Sequence, residues 1–510
     1  MSSLNRPRLL YLNGPWDYLG ERMRRSYILP FRKLLEQDFE VISVEGDCCF
    51  RSEVEKHRPD ATLFHTGCEA PGEPEIQISN TDAFPELPRI GYIYRDPFSP
   101  SRGAAMNRLR AWGVEDVATC FRPSDAPIDY FRNTFYLPWW VDDSQFRDYG
   151  ELKEFPITLT GAGWFVRCIY TWRQEIAAEL VPRFPVFHAP SLGNRQTNHD
   201  LVGEDYARLL NRSFLSAGCG TACRYLTLKL LEIPAARSCL IAEEIEVLKA
   251  LGFVDGVNCV FATPKNVVEK VQHLLNNREK LQAITDAGFE LVHQRHTQRQ
   301  RRLFAEWFQL RKIRRAHERI VQPHPFEALQ LTDAIDRRSH FPSENPILDQ
   351  IVQGYGLLER RRWAEALTIF EAVVKLIPCI AEARLGAALC LIRLGRPAQA
   401  SPHLGYNLNL LLQHFRFSTP DPIDVTFTAL LCLRMKDTAT ATVLLGRFPE
   451  LRHPSLNALR WLMRRANPEL GSHPAFQVAE GDEWASVESV HLLRRETFAQ
   501  WSALLTEFLR

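Results

Sequence analysis

The sequence predicts an α/β protein: two doubly wound parallel-sheet domains followed by an all-α domain of helical repeats. Three observations carry this reading. Through the first 320 or so residues, short apolar runs alternate with helical stretches, and the polar residues collect where these elements end. That is the pattern of strands joined by helical crossovers in a parallel sheet. From Ile347 onward the strand pattern stops, and small and large apolar residues recur at helical spacing. The 510 residues are also enough for about three domains of roughly 150 residues, each with its own core.

The first block, residues 1–150, opens with the strand Arg8 to Asn13, then Gly14 and Pro15, a helix from Arg22 to Gln37 and a strand from Phe39 to Val44. His57, Arg58, Pro59 and Asp60 precede the strand Ala61 to His65. The segment RIGYIY, Arg89 to Tyr94, is a fourth strand, followed by Arg95, Asp96 and Pro97. A helix (Met106 to Trp112) and a strand (Val117 to Phe121) come next, and Phe135 to Pro138 leads out of the block. In such a sheet, ligands bind beside the strand C-termini, here near Gly14, His65 and Asp96.

The second block, residues 151–320, begins with the strand Ile157 to Thr160. Gly161, Ala162 and Gly163 form a tight turn into a helix from Val166 to Leu180. Glycines at such a turn let backbone approach an anion, and the next helix offers free N–H groups. A helix ending near Lys229 and Glu232 then leads into Pro234, the strand Cys239 to Ala242, Glu243 and Glu244, a helix Ile245 to Leu251, and a strand Asn258 to Phe261. The block closes on a basic helix, His296 to Arg315.

The third block, residues 345–510, follows the polar stretch Gln322 to Pro346. In the segment Ile347 to Pro378, Gly354, Leu357, Ala366, Phe370 and Pro378 stand at the offsets of a 34-residue tetratricopeptide unit. A second unit from Ala381 keeps Ala388, Gly395 and Ala400 in register. The later apolar helices (Val425 to Met435, Thr440 to Leu445, Leu456 to Met463, Val490 to Leu509) read as degenerate repeats and a cap.

Composition narrows the function. With 45% apolar and 24% charged residues, the chain is globular rather than disordered. A net charge of +1 gives no field for nucleic acid or an anionic membrane. The basic runs Arg299 to Arg302 and Arg311 to Arg315 fit solvated helix faces. No run of about 18 apolar residues and no signal-peptide core is present, so the expected location is cytoplasmic. The twelve cysteines then read as buried thiols in a reducing compartment. Cys219 and Cys223 lack the second pair that a zinc site would need.

The segment RYLTLKLLEIPAARSCLIAEE, Arg224 to Glu244, resembles the donor-binding end of a GT-B glycosyltransferase. That class has two Rossmann-like domains, and the resemblance is to the spore-maturation-protein-like type (glycosyl transferases group 1). Its motif reads Lys, two apolar residues, Glu, Ile, Pro, Ala, with an acidic turn after the next strand. Tyr170 and Arg173 in YTWR match its Tyr-x-x-Arg. The resemblance covers roughly Arg8 to Phe308, and in this fold class the last basic helix crosses back to the first domain. It implies a hexosyltransferase that moves a sugar from a nucleotide-sugar donor, without a metal or resident cofactor and with retention of configuration. The acceptor would be a protein, a cell-surface glycan or a lipid-linked glycan, with a partner protein docking on the repeats.

The resemblance implies the site residues, and the chemistry of each suits its role. Glu232 would grip the ribose hydroxyls, because a carboxylate accepts from both. Lys229, Arg173 and the turn Gly161, Ala162, Gly163 would neutralise the leaving diphosphate. Tyr170, Thr221, Glu243 and Glu244 would border nucleotide and sugar, while His65 and Asp96 are acid–base candidates on the acceptor side. Many retaining relatives carry a second glutamate eight residues before the ribose-binding one, and here that position is Arg224. Blander readings compete throughout. Glu232 and Lys229 could simply pair, Glu243 and Glu244 suit a helix start by dipole alone, and Asp96 before Pro97 suits a turn. The alternative function is therefore an inactive glycosyltransferase-like scaffold that works through its repeats.

Overall fold

A computed structural model describes residues 6–68, 73–95, 99, 101–121, 131–162, 170–191, 201–324, 326–333, 344–414, 420–483 and 497–510. Two parallel sheets and an all-helical region make up the chain. The first sheet has six strands in the order Glu40–Glu45, Arg8–Asn13, Ala61–Cys68, Arg89–Tyr94, Asp116–Thr119, Asn133–Tyr136. Ala61–Cys68 is buried at every position, the signature of a central strand covered on both faces. Asn133–Tyr136 is the sixth strand rather than an exit segment. Its polar Asn133 is used inside, where Nδ2 donates to Asp116 Oδ1 at 2.6 Å.

The second sheet runs Val186–Ser191, Phe155–Ala162, Ser213–Gly218, Cys239–Ala242, Val260–Phe261, again parallel. Sequence patterning misses two of these strands. Val186–Ser191 carries Pro190, which only an edge strand tolerates, and it is the edge. Ser213–Gly218 looks polar but is central. Its serines are satisfied internally, with Ser213 Oγ against Thr158 Oγ1 at 2.5 Å and Ser216 Oγ against Ser238 Oγ at 2.9 Å.

Strand order reverses between Phe155–Ala162 and Ser213–Gly218, since one crossover leaves to each side. In open α/β sheets the crevice outside the strand C-termini at such a reversal is the ligand position.

The last helix of this half, Leu303–Ile313, returns to the first sheet. Trp307 Nε1 donates to Asp116 Oδ2 at 2.8 Å, and Phe304 and Phe308 meet Phe31 and Phe39 edge-on. One apolar core consequently runs from Leu9 and Tyr11 through Trp139 and Trp140 to Leu230 and Leu240.

A long helical stretch in the first half, residues 21–36, has a widened π turn at Arg24–Ile28. It presses Tyr27 onto Tyr94, with ring centroids 4.1 Å apart.

The helical region stacks Pro346–Glu359, Trp363–Leu376, Ala381–Arg393, Pro397–Asn409, Pro422–Arg434, Thr438–Gly446, Pro454–Ala466 and Phe498–Leu509. The buried Phe370 is its wedge. A Cβ on Gly354 would lie 2.6 Å from the Phe370 ring, and one on Gly386 would collide with it, so both glycines are there to admit that ring. No helix among the described residues is long and apolar enough to cross a membrane. Cys68, Cys219, Cys239, Cys259 and Cys390 are buried free thiols.

Candidate functional site

Five of the residues singled out from the sequence, Gly161, Tyr170, Arg173, Lys229 and Glu232, come together at the reversal point of the second sheet. Lys229 opens the helix Lys229–Ala235 instead of closing one, and Pro234 lies in its last turn. A proline so near a helix end forgoes only one intrahelical bond, so it is tolerated there. The Lys229 ammonium, 7% exposed, reaches under the end of Phe155–Ala162. It donates to Thr160 Oγ1 at 3.1 Å and to the Tyr206 hydroxyl at 3.2 Å. Its charge also sits 4.9 Å from the centre of the Tyr206 ring.

Arg173, from the helix Thr171–Leu180, approaches the same point from the other side. Its guanidinium stacks on Tyr170, 4.4 Å from the ring centre, and is 8% exposed. Among the described residues, Nε and Nη1 have no hydrogen-bond partner. A buried cationic fork with unsatisfied donors is costly unless something anionic completes it.

Gly161 explains how two cations fit there. Its φ is +124°, and a Cβ would strike the Arg173 guanidinium and stand 2.9 Å from Lys229 Cε. The strand continues through Ala162, paired with Ser191, so Gly161 is the last open step of a strand and not a turn residue. Gly163 and Asp96 lie outside the described residues, as do His199 and Asp200.

Burial holds the Lys229 pKa well below its ordinary value, and the nearby charges of Arg22 and Arg173 push the same way. Burial raises the carboxyl pKa of Glu232, against the pull of Lys229 and Arg22. Glu232 faces a crevice shared with Ser26, Tyr27, Pro30, Trp139 and Leu228, so it borders the gap between the two sheet domains. Arg22 and Tyr206 were not singled out from sequence. Arg22 belongs to a run of basic residues, Arg22, Arg24 and Arg25, that only folding brings to the cleft. Tyr206 is one aromatic on an amphipathic helix, indistinguishable there from a core residue.

The remaining candidates are placed elsewhere. Thr221 Oγ1 accepts from the Cys223 N–H at 3.2 Å and the Thr221 carbonyl from the Arg224 N–H at 2.7 Å, which shapes its own turn. Glu243 lies 3.9 Å from Arg224, whereas Glu244 is turned outward onto Lys249 at 2.8 Å. His65 is 1% exposed. Its Nε2 meets the Tyr27 hydroxyl at 3.0 Å, and its Nδ1 accepts from the Gly67 N–H at 3.0 Å. Burial and Arg95 push its pKa down to about 3. In place of the acid–base group expected from sequence, the structure has a neutral histidine with both ring nitrogens engaged.

The fold is thus an α/β one in which two buried basic side chains, Arg173 and Lys229, converge on Gly161 beside a topological switch point. Residues 146–308, which contain Gly161, Arg173, Lys229 and Glu232, match the family model described as glycosyl transferase-like. Similar solved structures include the sucrose-phosphate synthase of Thermosynechococcus elongatus, at 10% identity over 60% of this chain and 99% of that one, TM-score 0.42. A glycosyltransferase from Rickettsia africae is 12% identical over 60% and 99%, TM-score 0.39. HepE of Anabaena, solved with UDP and glucose, is 12% identical over 59% and 99%, TM-score 0.37. No curated protein matches the chain.

Proposed function

We propose that this chain is a GT-B glycosyltransferase that moves a hexose from a nucleotide-sugar donor to a glycan, protein or lipid-linked acceptor. The observation that carries the proposal is the convergence of Arg173 and Lys229 on Gly161, at the C-terminal end of a strand where sheet order reverses. A leaving nucleoside diphosphate gains charge as the glycosidic bond breaks, so fixed cations there favour the transition state over the ground state. Lys229 and Arg173 supply that charge, with Arg22 adding to the field from the first domain. The reading calls for no metal or resident cofactor. Glu232, on the crevice wall, takes the ribose, and retention of configuration follows from kinship with retaining enzymes. The helical repeats, read as tetratricopeptide-like, offer a face for the acceptor or a partner protein. The protein would work in the cytoplasm.

Calorimetric titration with UDP, GDP and TDP, followed by mass-spectrometric detection of sugar hydrolysis from their hexose conjugates, tests this. Binding that disappears in Glu232→Ala with the fold intact supports it, and undiminished sugar transfer by that variant removes it. A scaffold without catalysis is favoured by one observation: Arg224, at the position of the relatives' second glutamate, is already engaged by acidic residues. Absence of both nucleotide affinity and hydrolysis would select it.

A further inference from the structure

The helical region is joined to the second sheet domain at one built seam, and that seam ends on the turn carrying Arg224. Arg224 has φ +56°, a conformation that side-chain-bearing residues adopt only when held. Two acidic groups hold it: Glu243, at 3.9 Å, and Glu344, in a direct ion pair. Glu344 stands just before the first repeat helix and also accepts from the Glu246 N–H at 3.3 Å. The next residue extends the tie. Asn345 is 2% exposed. Its Oδ1 caps the helix Pro346–Glu359 by accepting from the N–H groups of Ile347 and Leu348, and its Nδ2 donates to the Tyr225 hydroxyl at 3.2 Å.

Below this polar layer the seam is apolar, with Cys223 and Tyr225 belonging to the core of the helical region. A Cβ on Gly220 would lie 2.9 Å from the Tyr225 carbonyl and 3.1 Å from Ile245, so residues 220–225 are wedged against the segment that follows Glu243 and Glu244.

We propose that Glu344 is a positioning residue for the sugar end of the donor cleft. By pairing with Arg224 and accepting from Glu246, it fixes the two turns that border the sugar and makes the helical region part of the donor site. This rests on the glycosyltransferase reading. A single half-exposed ion pair contributes little, but here it closes a set with two hydrogen bonds and a buried seam, and such sets are lost together.

The test uses the full chain as wild type, Glu344→Ala, Arg224→Ala and the double variant. Calorimetry compares UDP with UDP-glucose and GDP with GDP-mannose, and peptide mass spectrometry follows the rate of thiol labelling at Cys223. Each single variant is expected to bind the bare diphosphate within twofold of wild type. The extra affinity conferred by the sugar should fall at least fivefold, Cys223 should label at least tenfold faster, and the double variant should be no worse than the weaker single. An unchanged Cys223 rate overturns the proposal, and so does faster labelling with the sugar increment intact. If the wild type binds neither pair, the glycosyltransferase reading has failed on its own. The Cys223 rates then still decide whether Glu344 holds the turns.

Discussion

Lys229 and Tyr206 meet at the C-terminal end of the strand Phe155–Ala162: the ammonium donates to the phenol oxygen at 3.2 Å and rests against the ring of the same residue. The arrangement keeps a cation indoors without giving it a carboxylate at hydrogen-bond distance, among the described contacts, that would cancel its charge. Removing it should be felt by an anionic ligand before it is felt by the fold. Lys229→Met is expected to weaken nucleoside diphosphate binding by at least tenfold, about 1.4 kcal/mol or more, while the melting temperature holds or rises because a desolvated charge has gone. Calorimetry and thermal melts on one sample check both.

Gly161→Ala should cost stability as well as binding. The new methyl group must push aside Arg173 and Lys229, and φ +124° is strained for alanine. A loss of about 1–3 kcal/mol in urea unfolding is expected, together with loss of diphosphate binding. An alanine variant that binds as tightly as wild type would show that the two cations do not act at this step of the strand.

His65 sets a pH dependence. Its folded pKa is about 3 against an ordinary 6.5, and burial pushes His296 down to about 3 as well. Between pH 6.5 and about 3 the unfolded chain binds protons that the folded chain refuses, so these two groups make stability fall as pH drops through that window. His65→Gln should flatten the slope of unfolding free energy against pH by close to one proton between pH 4 and 6. If the proposed sugar transfer is observed, its rate at pH 7.5 should stay near wild type, because a buried imidazole with both ring nitrogens hydrogen-bonded inside the protein presents neither to a substrate.

Trp307→Phe removes the indole N–H that reaches Asp116 Oδ2. With the carboxylate 2% exposed at the side chain, the loss should destabilise the protein by about 1–3 kcal/mol. Urea midpoints will show it, and a shift of less than a few tenths of a kcal/mol would mean that Asn133 and Arg311, the latter 4.0 Å from the same oxygen, suffice for Asp116.

Most strands of both sheets were legible because their apolar runs are continuous, as in Arg8–Asn13 and Arg89–Tyr94. The two strands missed in the second sheet were hidden by chemistry that only pairing resolves: serines satisfied by hydrogen bonds inside the fold, and a proline at an edge. At the site, Lys229, Arg173 and Glu232 could be picked out because a motif spaces them. Arg22 and Tyr206 could not, since 207 and 23 residues separate them from Lys229 and no local pattern marks either. His65 looked reactive because sequence shows that a residue can titrate and not whether it is dry. The helix at Lys229 was read backwards because Pro234 is a strong stop signal, whereas here the helix takes Pro234 in and ends one residue later, at Ala235.

The returning helix Leu303–Ile313 has a consequence for biosynthesis. The surface of the first domain that carries Asp116, Phe31 and Phe39 is covered by residues that leave the ribosome more than 150 positions after Tyr136. At elongation rates of about 5–20 residues per second, the nascent N-terminal portion waits roughly ten seconds or more with greasy surface uncovered, which marks it as the stage at which a chaperone would be most needed.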